Sequence, residues 1–111
     1  MSEFVYLFRG DGSAAGSAEQ RQQHMQKWVA WIKELGDTGN FKAGQPLEQT
    51  GKLVSGKQKS VTDGPYAEAK DLVGGYLLVE AKDLAQATEL AKGCPIFEHG
   101  GLVEVRPVAK M

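Results

Sequence analysis

The chain has 111 residues, 41% hydrophobic and 24% charged, which describes one packed domain over 1–111 and excludes a disordered chain. Thirteen basic against 14 acidic side chains leave a net charge of −1, so nothing in the balance calls for nucleic acid or an acidic membrane surface. A lone cysteine, Cys94, excludes an internal disulfide, and with only His24 and His99 beside it no structural zinc site can be composed.

Glu3 to Gly10 is rich in aromatic and branched residues and stops at an Asp-Gly pair, so it reads as a strand. A loop of Gly, Ala and Ser follows. Ser17 then has the chemistry of a helix N-cap, with Gln20 three residues on as its capping-box partner. The helix is expected to run to about Leu35 and to close at Gly36, burying a stripe of Met25, Trp28, Val29, Ile32 and Leu35. Asn40 to Leu47 reads as a short strand, and Lys52 to Thr62 as a hairpin turning at Ser55-Gly56. The stretch from Gly74 to Asp83, "GGYLLVEAKD", holds the strongest strand signal. Asp83 caps a second helix carried by Leu84, Ala87, Leu90 and Ala91 and ended by Gly93 and Pro95. Gly101 to Val108 is the last strand, with Pro107 where an edge or terminal position permits it.

Strand, helix, strand with hairpin, strand, helix, strand is the ferredoxin-like split β-α-β order, an α+β fold. Two helices cover one sheet face. In the first strand Phe4, Tyr6 and Phe8 alternate with Val5, Leu7 and Arg9; in the penultimate one Leu77, Val79 and Ala81 alternate with Tyr76, Leu78 and Glu80. Both faces are substantially apolar, whereas a sheet with one wet face is polar on it. A second copy is the economical cover for the other face, so the expectation is a homodimer packed sheet to sheet, with a cavity between the sheets or at their rim. No apolar run is long enough to cross a bilayer and the opening residues lack a signal pattern, so the expected location is cytoplasmic, away from membranes.

Three places could carry chemistry. In Asp63-Gly64-Pro65-Tyr66 the Gly-Pro pair makes a rigid turn, and Tyr66, Glu68 and Lys70 follow at alternate positions. If extended, those three point the same way, as a polar wall or as a solvated face. His24 lies four residues before Trp28 on the first helix, at the border of core and water. It is either a group titrating near neutral pH or a surface ring packed on Trp28. On the last strand Glu104 and Arg106 share a face; they form an exposed ion pair, or Arg106 anchors a carboxylate or enolate ligand in the dimer cavity. Cys94 reads as a small buried hydrophobe and His99 as a loop residue.

The motifs Asp63-Gly64-Pro65-Tyr66, Glu68, Lys70, Gly74-Gly75-Tyr76 and Glu104-Val105-Arg106-Pro107 together resemble the YCII-related family, and within it the DGPF-domain group, with Tyr66 where that group has Phe. The resemblance covers nearly the whole chain. It implies a dimeric α+β barrel, and it implies that His24, in "RQQHMQKW", is the acid–base residue with an Asp as partner, Asp63 or Asp11. It further implies a cofactor-independent lyase or isomerase, similar to barrels that act on chlorinated hydroquinone-type or lactone substrates. In that reading Tyr66, Lys70 or Arg106 steadies negative charge, and neither metal nor nucleotide is needed. The competing implication is a ligand-binding or regulatory module associated with sigma-factor-type transcription regulation. The exposed positions of both helices look polar, which argues mildly against a large helix-face interface.

Overall fold

A computed structural model describes residues 1–10, 17–48, 50–64 and 72–110. Strand β1 (Ser2–Arg9) leads to helix α1 (Ala18–Asp37), strand β2 (Phe41–Pro46), a hairpin of β3 (Gly51–Ser55) and β4 (Ser60–Gly64), strand β5 (Val73–Ala81), helix α2 (Leu84–Ala91), a short 3-10 helix at Pro95–His99 and strand β6 (Leu102–Pro107). The main sheet has the order β2-β5-β1-β6, all antiparallel. With the hairpin set aside this is the ferredoxin-like arrangement read from the sequence. β3 and β4 pair only with each other, turning through Gly56 and Lys59, both at positive φ.

The alternation in β1 and β5 sorts their side chains as the pleat requires. Phe4, Tyr6 and Phe8 and, across from them, Leu77, Val79 and Ala81 are buried beneath the helices. Val5, Leu7, Tyr76 and Leu78 stand half-buried on the opposite, open face. α2 meets the sheet through Ala87 and Ala91, small enough for the Tyr6 hydroxyl to reach and donate to the Ala87 carbonyl at 2.5 Å. Burial pushes the Tyr6 phenol up to about 12, so it remains a donor at every physiological pH. Cys94 joins this core, and burial pushes its thiol up to about 12, which makes it an inert side chain. Gly44 is dictated by packing: a Cβ there would overlap the Leu77 side chain and lie 2.6 Å from the Tyr76 carbonyl oxygen.

Both helix starts form as expected. Ser17 and Gln20 exchange both capping-box bonds, and Asp83 accepts from the Gln86 amide. The end of α1 lies further on than expected: the helix passes through Gly36 to Asp37, and Gly39 takes the left-handed position. Buried Asn40 then clamps it to β5, its amide donating to the Glu80 carbonyl while its oxygen accepts from Thr38.

The buried stripe of α1 is rotated from its expected setting. Trp31 and Leu35 are buried and Trp28 and Ile32 partly so, whereas Met25 is 61% and Val29 59% exposed. The stripe runs His24, Trp28, Trp31, Leu35, and residue 25 sits ~100° around the helix from residue 24. The two indoles decide the rotation, because they carry more apolar area to the sheet than Met25 and Val29 would. Trp31 stacks on Tyr6 with ring centroids 6.2 Å apart, and Trp28 meets Phe8 edge-on at 5.0 Å.

Candidate functional site

The rotation of α1 that buries the tryptophans also sets His24. One turn before Trp28, its side chain is 15% exposed and lies at the end of the sheet where β1 stops and β6 starts. The 3-10 helix brings Glu98 and His99 against it. Pro95 opens that helix, Gly100 closes it at positive φ, and Gly101 passes so close to Gly10 that a Cβ on Gly10 would lie 3.0 Å from its Cα.

Every polar atom of the His24 ring has a neighbour. The Trp28 indole N–H donates to His24 Nε2 at 2.9 Å. His24 Nδ1 lies 3.2 Å from His99 Nε2, and 3.7 Å from Glu98 Oε2. The other Glu98 oxygen accepts from Lys27 Nζ at 2.7 Å, so α1 and the 3-10 helix are joined through a chain of Lys27, Glu98, His24 and His99. The two imidazoles meet edge to face, centroids 4.2 Å apart, with His99 exposed on the outer side.

This setting holds His24 below its ordinary value of 6.5. Desolvation contributes most, the facing His99 next; Glu98 opposes them and Lys27 adds to the lowering. Glu98 is held below the usual carboxylate range, first by the Lys27 hydrogen bond. Both shifts work in one direction on stability. The unfolded chain takes up a proton at His24 more readily than the folded one, so stability falls as pH drops below about 6.5 and on through the folded value. Glu98 adds a second loss at lower pH, as its folded-state carboxylate is protonated. The melting temperature should decline steadily from about pH 7 to about pH 4. A flat profile across the upper part of that range would mean that His24 is not shielded as described.

The other expected site residues lie elsewhere. Asp63, on β4, is 92% exposed and ion-paired to Lys52 across the hairpin. Arg106 lies opposite Val5 on the open face, across the sheet from His24. Glu104 pairs with Arg9 at 2.8 Å, one strand over, where the sequence suggested Arg106. Asp11, Tyr66, Glu68 and Lys70 lie outside the described residues. The described flanks of their segments, Gly10 and Leu72, meet at the His24 end of the sheet, where the Gly10 amide donates to the Leu72 carbonyl.

Glu98 and His99 were missed as site residues, because nothing local in the sequence ties residues 98 and 99 to residue 24. The available signal was the Pro95…Gly100 bracket, which marks a turn of helix where a plain loop was read. Among the described residues no group of three or more His, Cys, Asp or Glu could hold a metal ion, and no helix is long and apolar enough to cross a membrane.

Comparison with known proteins gives two results. The family model for the YCII-related domain matches residues 3–111. The fold is similar to that of 5-chloro-2-hydroxyhydroquinone dehydrochlorinase from Burkholderia phenoliruptrix AC1100, solved in complex with 2,5-dihydroxybenzoquinone. The TM-score is 0.54 at 18% identity, over 98% of this chain and 95% of that one. No curated protein matches the chain in sequence.

Proposed function

Since the chain belongs to the YCII-related family, we propose that it is a small cofactor-independent enzyme carrying out acid–base chemistry of the lyase or isomerase kind. Its substrate is a small phenolic, lactone or carboxylate compound, bound at the rim of a homodimer. The observation that carries this reading is His24 itself. A shielded imidazole, depressed in basicity, with one nitrogen turned toward an exposed second histidine, is costly to build as mere surface. The fold shared with a dehydrochlorinase supports the choice of substrate class.

Glu98 is assigned as the partner of His24, in place of Asp63, which is engaged by Lys52. Arg106, on the open face, is assigned to the dimer cavity, as an anchor for an anionic group. The test is turnover of chlorinated hydroxyhydroquinones and of lactones by wild type and by His24→Ala. Loss of the positioned imidazole should lower kcat by about 10²–10⁴-fold, with the fold and oligomeric state unchanged. A fully active His24→Ala protein would end the proposal.

A second reading rests on Met25 and Val29. These exposed apolar side chains, four residues apart on α1, make an outward patch that the sequence pattern had assigned to the core. They favour a protein partner, as a regulatory module associated with a sigma factor would require. Met25→Lys with Val29→Lys should leave turnover intact and abolish partner capture if that reading holds.

A further inference from the structure

An indole N–H can only donate. Because Trp28 Nε1 points at His24 Nε2 at 2.9 Å, that nitrogen must carry a lone pair, and the proton of the neutral ring must sit on Nδ1. The Nδ1–H then faces His99 Nε2 at 3.2 Å, which can only be its acceptor. His24 therefore has no free lone pair. Protonating it at Nε2 would set two N–H groups against each other, and removing the Nδ1 proton would leave an imidazolate.

We propose that Trp28 locks His24 as a neutral Nδ1–H hydrogen-bond donor, and that an enolate or phenolate oxygen of the ligand takes the acceptor place filled by His99 Nε2 in the free protein. Trp28 is a positioning residue in this scheme. His24 meets developing negative charge as a hydrogen-bond donor, without giving up its proton. His99 suits the part of placeholder: it is exposed, and it stands at the end of a short 3-10 helix just before the left-handed Gly100. The inference rests on the reading of His24 as the reactive-site residue.

Long-range ¹H–¹⁵N correlation spectra of the histidine rings test it. At neutral pH the wild-type His24 should show a protonated Nδ1 and a bare Nε2, and a coupling across the hydrogen bond should link the Trp28 indole to that Nε2. In Trp28→Phe the Nε2–H form should appear, and His24 should titrate about one pH unit higher. An Nε2–H tautomer in wild type overturns the lock, and needs no variant to fold. So does an unchanged tautomer in a folded Trp28→Phe. For the ligand half, 2,5-dihydroxybenzoquinone is the probe, because its acidic enols are ionised at neutral pH. It should move the His24 Nδ1–H resonance and bind His99→Ala, where the place is vacated, at least as well as wild type. No binding to His99→Ala overturns that half. If His24→Ala is inactive but the tautomer is Nε2–H, this inference fails and the proposed enzyme stands; if His24→Ala is active, the enzyme reading fails whichever tautomer is found.

Discussion

Trp31→Ala is expected to cost about 3–5 kcal/mol of folding stability, the range for emptying a core site of its aromatic ring. Trp31 stacks on Tyr6, meets Phe8 and Trp28 edge-on at 6.1 and 5.8 Å, and donates its indole N–H to the Leu90 carbonyl at 3.2 Å. The truncation removes the apolar area, strips three rings of a neighbour and takes away one of the two donors to the Leu90 carbonyl, the other being the Gly93 amide. A domain of this size holds only about 5–15 kcal/mol in total, so the variant should be near the limit of folding at room temperature. Urea unfolding reads the loss as a lower midpoint at unchanged slope. A change below about 1 kcal/mol would mean that α1 does not dock on the sheet through its indoles, and the setting of His24 would go with it.

The same residue shows where the sequence could be read and where it could not. Strand alternation made β1 and β5 legible, since a period of two fixes which side chains go in whatever the partner. The caps of both helices were legible because they are local chemistry: Ser17 with Gln20, and Asp83 with Gln86. The rotation of α1 was not, since its apolar residues spread over more than one face. Met25 and Val29 fit a helical stripe as well as Trp31 does, and only contact with Tyr6 and Phe8 selects among them. Gly93 carries a related lesson. It read as a helix stop, but a Cβ there would also lie 3.0 Å from Trp31 Nε1, so the glycine makes room for the indole.

For the candidate site, His24 and its neighbour Trp28 were visible at a spacing of four on one helix. Its partners across the fold, Glu98 and His99, depend on a non-local meeting of α1 with the 3-10 helix. Besides His24, only Asp63 and Arg106 of the expected polar groups lie among the described residues. Arg106 and the Arg9–Glu104 pair belong to the open face, His24 to the helix side, and Asp63 to the hairpin.

Leu78→Glu is expected to convert a dimer to a monomer. Leu78 stands between Val5 of β1 and Ala43 of β2 on the open face, with Leu7 and Tyr76 paired in the next row. Charged groups flank this patch: Lys42 bridges Glu3 and Glu80 at one end, and Arg9 pairs with Glu104 at the other. An apolar centre with a polar rim is how a protein interface is built, and a symmetric contact places each patch on its own copy. A carboxylate at its middle is left desolvated and unpaired on association, which should weaken the dimer by about a hundredfold or more. The fold should survive, because the helix-covered face is untouched; an Ala85→Glu control at an exposed position of α2 should leave the dimer intact. Sedimentation velocity decides it, and a wild-type monomer, or a Leu78→Glu dimer, would remove the sheet-to-sheet interface from consideration. Activity then locates the pocket. If the monomeric variant turns over substrate, the His24 site is complete within one chain. If it folds, retains the Trp28-locked tautomer and yet is inactive, the second copy supplies part of the pocket.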